Sequence, residues 1–197
     1  MNYSLLRFAH LVGLTLMGAG LIGVWLADLR SRKVRDLALF AESVRNITVF
    51  YNGIVVPGAV ILFFPGAWMT ADFWDGWSFV QHPWLTGMML LFVVELIERN
   101  TVTRLYFMRL RRLTNEALAQ GAATPELTRA RQEHLATFTH FLDIPLLMVI
   151  VSLGAIRPTT WSQFIIGTAC ALAGATALTI TIPRLYPWEP PSQSKTN

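Results

Sequence analysis

The chain has 197 residues, of which 53% are hydrophobic and only 14% are charged. Soluble domains carry about 25% charged residues, so this composition, with a mean hydropathy of +0.45, indicates an integral membrane protein. The net charge of +4 does not indicate nucleic-acid binding, because the basic residues flank apolar runs instead of following one face. The single cysteine, Cys170, excludes a disulfide framework and a cysteine metal site.

The first apolar run covers residues 5–27, and it is long enough to cross a bilayer with some tilt. A cleaved signal peptide is the alternative, but its apolar region is shorter and its basic flank comes first. Here the strong basic flank follows the run, at residues 30–45. Positive loops stay in the cytoplasm, so we expect the N-terminus outside. Within this loop Leu37, Phe40 and Val44 recur at helical spacing, which predicts a short amphipathic helix on the inner surface.

The second span is predicted at residues 47–68, with Pro57 kinking its middle. The loop that follows, residues 69–83, is aromatic and lacks lysine and arginine, so we place it outside. The third span begins at Trp84, becomes charged in its second half, and continues beyond the membrane as residues 104–120. Gly121 ends this helix.

A new helix is predicted to begin at Thr124-Pro125-Glu126, with a capping threonine, a first-turn proline and an early acid. The third and fourth helices should therefore form a cytoplasmic helical hairpin near residues 104–136. The fourth span ends at Ile156, and the fifth covers residues 161–182 and is expected to end at Pro183. We expect residues 184–197 to be a flexible cytoplasmic tail.

These elements predict an all-α fold: a polytopic transmembrane helical bundle of about five spans, forming one domain over residues 1–183. The N-terminus is expected outside and the C-terminus in the cytoplasm, since 13 of the 16 lysines and arginines fall on the inner side. The lipid bilayer is the expected partner, and no nucleic acid is expected.

Charged residues inside a span are costly unless they face other helices or water, which makes them functional candidates. With a rise of 1.5 Å per residue, Arg99 lies about 22 Å inward from Trp84, and Asp143 about 20 Å inward from Ile156. We therefore expect Arg99 and Asp143 to meet. The polar cluster predicted around them contains Glu95, Glu98, Arg99, His140 and Asp143. Its role is either a structural ion-pair network, or proton transfer or anion binding at Arg99.

His10 lies in the first span near its outer end, on one helical stripe with Gly13 and Gly20. Glycines beside a histidine leave room for a flat group, and haem b with His10 as an iron ligand has that shape. The alternative is that the glycines permit close helix packing. His82, in the outer loop, is either a second ligand or an interfacial residue.

Several short motifs in chain order resemble a bacterial family of predicted integral membrane proteins of unknown function. The motifs are LRFAH at 6–10, GLIG at 20–23, FFPGAW at 63–68, GWSF at 76–79, PWL at 83–85, DIPLL at 143–147 and Arg157-Pro158. The outline is more distantly similar to HemJ-type protoporphyrinogen oxidases, a resemblance that implies haem b on the first-helix histidine, here His10. It departs after Trp84-Leu85, where the HemJ type has a lysine and this chain has Gly87, Met88 and Met89.

The expected function is that of a multi-pass protein of the bacterial inner membrane. It either binds haem b at His10 or serves haem and respiratory enzymes as an accessory subunit. A HemJ-like oxidase is the first alternative. A cofactor-free structural subunit, docked onto other membrane subunits or onto itself, is the second.

Overall fold

The computed structural model describes residues 2–74 and 76–188, and within them every regular element is helical. This confirms the predicted all-α class. The α-helices are α1 (Tyr3–Arg32), α2 (Leu37–Phe50), α3 (Val56–Phe73), α4 (Pro83–Glu98), α5 (Arg104–Gln120), α6 (Pro125–Arg131), α7 (His134–Ile156) and α8 (Ser162–Leu185). A 3₁₀ turn, Gly76–Gln81, lies between α3 and α4.

Two short π-helical segments make the helical paths longer than the α-helices suggest. Tyr51–Val55 joins α2 to α3, and Arg99–Thr103 joins α4 to α5. The backbone is therefore helical without a break over Leu37–Phe73 and over residues 83–120. The amphipathic segment predicted to lie on the inner surface is instead the first part of the second spanning helix.

Within residues 2–74 and 76–188, four helices are long and apolar enough to cross a bilayer, namely Tyr3–Arg32, Leu37–Phe73, His134–Ile156 and Ser162–Leu185. The 16 residues of α4 are fewer than the roughly 20 that a crossing needs. The helix continues past Glu98 into the π-helical segment, so the helical path that begins with α4 is long enough for a further crossing, although its second half is charged. The bundle therefore agrees with the prediction of about five spans.

The end of α5 and the start of α6 follow the local sequence, whereas the end of α8 does not. The side chain of Thr124 caps α6 by accepting the N–H of Leu127 at 3.2 Å, as the Thr-Pro-Glu pattern predicts. Gly121 ends α5 with a φ of 70°, which glycine adopts without a Cβ clash. Pro183, expected to end the fifth span, lies inside α8. Of the predicted flexible tail, residues 189–197 lie outside the described residues.

The bundle is built on close packing of α1 against α3 and of α7 against α4 and α8. At one end, α2 packs on both α1 and α5, and α6 follows α5. We call this the hairpin end, and we call the end that carries Gly76–Gln81 the loop end. The face of α2 formed by Leu37, Phe40 and Val44 is buried in the core, which explains why this helix does not lie flat on a lipid surface.

Candidate functional site

His10 lies in α1 toward the loop end, where its side chain is half-buried. Its Nδ1 is 2.8 Å from the carbonyl oxygen of Leu62 in α3. Because a carbonyl oxygen only accepts, Nδ1 must donate, and the neutral ring keeps its lone pair on Nε2. Histidines that bind metals commonly have this arrangement, with the second ring nitrogen held by a backbone carbonyl. Gly66 gives the ring its space, since a Cβ there would lie 2.9 Å from Nδ1.

Gly13 and Gly20 are in contact with the second spanning helix. A Cβ on Gly13 would lie 2.7 Å from the Cα of Leu62, and one on Gly20 would lie 2.7 Å from Cγ2 of Val55. The space beside this stripe, which was expected to admit a flat group, is therefore occupied by protein. For these two glycines the contacts favour the packing alternative.

His82 precedes α4 at the loop end, and its ring packs edge-on against Trp74 with the centroids 5.0 Å apart. Trp74 also packs edge-on against Trp84. The surroundings of His82 are thus aromatic, as the interfacial interpretation predicts.

The second candidate site is centred on Arg99, the first residue of a π-helical segment. We call Glu95, Arg99 and Asp143 the Arg99 cluster. Nη2 of Arg99 donates to Oε1 of Glu95, one turn earlier, and to Oδ1 of Asp143 in α7 at 3.3 Å. All three side chains are at least 95% buried. Oε2 of Glu95 and Nε of Arg99 are buried without a hydrogen-bond partner among the described residues.

A tyrosine from the other π-helical segment holds the backbone of Arg99. The Tyr51 hydroxyl donates to the Arg99 carbonyl at 3.0 Å, and this carbonyl also accepts the N–H of Arg104. A π turn changes the ordinary backbone pairing and is frequent at functional sites. Here the two π turns contact each other through one hydrogen bond, which fixes the position of the buried arginine.

Glu98, which was expected in the polar cluster, has a different hydrogen-bond partner. Its Oε1 accepts from the hydroxyl of Thr103 at 2.8 Å. The same hydroxyl lies 3.2 Å from that of Thr139 in α7. The structure therefore places the Glu98 carboxylate on a threonine link between α7 and the π-helical segment, while its charge still acts on Glu95 and Asp143 of the Arg99 cluster.

A second set of buried charges, at the hairpin end, was not anticipated from the sequence. We call Asp28, Arg32, Arg131 and His140 the Asp28 cluster. Oδ2 of Asp28 accepts from Nε of Arg32 at 2.9 Å, and Oδ1 accepts from Nη1 of Arg131 in α6 at 3.1 Å. Both arginines had been counted among the cytoplasmic basic residues with no partner predicted for them, and in the structure each is only 5% exposed. The i, i+4 spacing of Asp28 and Arg32 is a sequence pattern that could have predicted their pairing. No local pattern in the sequence predicts that Arg131 joins them.

His140 is in the Asp28 cluster and not in the Arg99 cluster. Its Nε2 is 3.9 Å from Oδ2 of Asp28, and its ring packs edge-on against Phe107. The Nε1 of Trp25 donates to the His140 carbonyl at 3.1 Å. The physical reason is position along the helix: His140 is three residues before Asp143, which moves it about 4.5 Å toward the hairpin end, level with the last turns of α1.

Comparison with known families identifies the chain. Residues 4–158 match the model of a family described as predicted integral membrane proteins (DUF2269). The chain belongs to this family. Nothing among curated proteins or solved structures matches it.

The segment matched to the DUF2269 family runs from the start of α1 to just past the end of α7. It therefore contains His10, the Arg99 cluster and the Asp28 cluster, whereas α8 lies beyond it. The match also agrees with the resemblance drawn from the short motifs. Among the described residues, no group of three or more His, Cys, Asp and Glu side chains is arranged to hold a metal ion.

Proposed function

We propose that the protein is a multi-pass bacterial inner-membrane protein that holds haem b with Nε2 of His10 as an iron ligand. The observation that carries the proposal is the hydrogen bond from Nδ1 of His10 to the Leu62 carbonyl. It orients the imidazole and leaves its lone pair on the nitrogen that would bind iron. Bound haem would give the protein a redox-active iron, which suits an accessory role beside respiratory or haem enzymes.

The sequence predicted that a porphyrin would lie beside His10 along Gly13 and Gly20, and the structure does not support that position. Gly13 and Gly20 are covered by the second spanning helix, so the porphyrin would not lie along them. Tyr3 lies on the His10 stripe two turns earlier and packs edge-on against Phe73 at 4.9 Å. These two rings, two helical turns from His10, would supply part of the apolar surface that a porphyrin needs.

The oxidase alternative receives less support. The resemblance that suggests it implies a lysine where this chain has Gly87 and two methionines. At Gly87 a Cβ would lie 2.7 Å from Cδ2 of Phe164 in α8. A lysine at this position would require Phe164 to move, so this packing does not suit the oxidase's residue pattern.

The test is the absorption spectrum of the full chain, purified after expression with added haem. We expect a Soret band that His10→Gly abolishes and that external imidazole restores, because a free imidazole can occupy the space of the deleted ring. His134→Gly is the matched control, since His134 is exposed at the start of α7, and it should keep the band. A colourless protein would eliminate the haem proposal and favour the cofactor-free structural subunit.

A further inference from the structure

The buried charges of the Arg99 cluster do not balance. One guanidinium is paired with two carboxylates, Glu95 and Asp143, in a site that is almost closed to solvent. An unpaired charge in such surroundings is expensive, and proteins avoid it by pairing the charge or by changing its protonation state. The site therefore needs one more positive charge than its side chains supply.

The structure also shows which buried carboxylate oxygen of the cluster lacks a partner within the described chain. Oε1 of Glu95 accepts from Arg99, but Oε2 of the same carboxylate is buried and has no partner among the described residues. A buried carboxylate oxygen without a partner is explained by a bound water or ion, or by a proton that neutralises the group. Among these, only a proton both removes the charge and needs no extra space beside the guanidinium.

Among the residues that the structure describes, the other elements packed around Glu95 supply no further positive charge. Asp143 is the ionisable group that α7 contributes. The π-helical segments contribute Arg99 and Tyr51, and the Tyr51 hydroxyl donates to the Arg99 carbonyl. Glu98, on α4 itself, adds negative charge. The packed helix α8 has no charged side chain over residues 162–183, and its Cys170 is exposed. The turn Gly76–Gln81 has none either.

We propose that the Arg99 cluster is a proton-binding site within the membrane, and that the folded protein carries one proton on Oε2 of Glu95. In this arrangement Asp143 is the ionised partner of Arg99, while neutral Glu95 still accepts an Arg99 N–H through Oε1. The three side chains then have no net charge. The proposal depends on two observations: the number of acidic and basic groups in the Arg99 cluster, and the absence of a hydrogen-bond partner for Oε2 of Glu95 among the described residues. A small rotation of the Glu95 carboxyl group would change its contacts but not the number of charges.

The direct test is infrared spectroscopy of the full chain in lipid vesicles at neutral pH. We expect a carbonyl stretching band of a protonated carboxylic acid that shifts in heavy water and is absent in Glu95→Gln. Glu42→Gln is the matched control: Glu42 is on the surface, paired with Arg45, and its loss should leave the band unchanged. Absence of the band from the wild type, or its persistence in Glu95→Gln, would overturn the proposal.

A second variant and a second measurement keep the test decisive if Glu95→Gln does not fold. Asp143→Asn should also lose the band, because Glu95 must then give up its proton to balance Arg99. The unfolding equilibrium provides an independent readout. In the folded chain Glu95 keeps its proton, whereas in the unfolded chain it is an exposed glutamate that loses the proton above its ordinary pKa. Unfolding therefore releases one proton. Between pH 5 and pH 7 the equilibrium constant for unfolding of the wild type should rise about tenfold per pH unit relative to that of Glu95→Gln. Equal slopes for the two proteins would contradict the proposal.

Discussion

The hydroxyl of Tyr51 donates a hydrogen bond to the carbonyl of Arg99 at 3.0 Å, and each residue is the first of a π-helical segment. This contact joins the two helices that run without a break between the bundle and the hairpin end. It holds the main chain of Arg99, while Glu95 and Asp143 hold the side chain. Both the main chain and the side chain of the buried arginine are therefore held by polar contacts.

Removing this hydroxyl should weaken the bundle without disturbing its core. Tyr51→Phe keeps the ring and leaves the Arg99 carbonyl with the Arg104 N–H alone, so we expect a loss of about 1 kcal/mol in unfolding free energy. Reversible unfolding in detergent measures this change. Tyr3→Phe, at the loop end, is the control; an equal loss there would show that the Tyr51 hydroxyl has no special role.

The charges of the Arg99 cluster should be strongly coupled. Arg99→Gln leaves the ionised Asp143 buried without a partner, and we expect it to cost about 3–5 kcal/mol. Asp143→Asn should cost less, because Glu95 can replace the lost charge. The double variant should recover most of the stability lost in Arg99→Gln, since neither charge remains.

A double-mutant cycle on the unfolding free energy measures this coupling. The matched control is the exposed pair Arg112 and Glu116, also spaced i, i+4, with 3.7 Å between Nε and Oε1. Its two neutralising changes should be nearly additive, because solvent screens the pair. Additive effects at Arg99 and Asp143 as well would mean that the buried contact contributes little.

Adding a Cβ at Gly13, where α1 and α3 are in close contact, should force the two helices apart. The added Cβ of Gly13→Ala would meet the backbone of α3, which cannot yield as a flexible side chain can, so we expect a loss of about 1–3 kcal/mol. Gly174→Ala is the control, since nothing lies within 4 Å of its Cβ position. Helix propensity alone should make that change neutral or slightly stabilising. A harmless Gly13→Ala would contradict the observed approach of the two helices.

The Asp28 cluster should hold α6 against α1. Asp28→Asn leaves two buried arginines without a carboxylate, and we expect α6 to detach and become open to trypsin at Arg131, which is protected in the wild type by burial. The rate of cleavage in the hairpin measures the effect. Glu126→Gln, on the exposed face of the same helix, should not change that rate. Unchanged cleavage in Asp28→Asn would show that apolar packing alone keeps α6 in place.

The fold was largely predictable because apolar length and flanking charge determine the spans. The prediction for α2 failed in one respect: a surface amphipathic helix and a buried one have the same periodicity, and only packing against α5 distinguishes them. The π-helical segments had no local signature, since an extra residue in a turn leaves no compositional trace. Pro183 was expected to stop a helix, but it lies within the last turn of α8, where few backbone bonds are lost.

The candidate sites were predictable only in part. The axial rise of a helix places Arg99 and Asp143 at one level, and in the structure their side chains are in contact. Arg131 was counted among the cytoplasmic basic residues without a partner, because sequence alone cannot show that a short helix folds back onto α1. His140 was grouped with Asp143 by proximity in sequence, although the residue it faces is 112 positions away, Asp28. Contacts over such separations depend on tertiary packing.

The spacing of the three residues of the Arg99 cluster also bears on biosynthesis. Arg99 is made 44 residues before Asp143, so while helices insert in order of synthesis the arginine enters lipid with no acid on α7 to receive it. Glu95, four residues earlier on the same helix, enters with it and serves as its counter-ion. Once α7 is in place, Asp143 also pairs with Arg99, and Glu95 keeps its own contact with the guanidinium. The contact between Glu95 and Arg99 lies within one helical path and needs no other helix to form, whereas the contact with Asp143 needs α7.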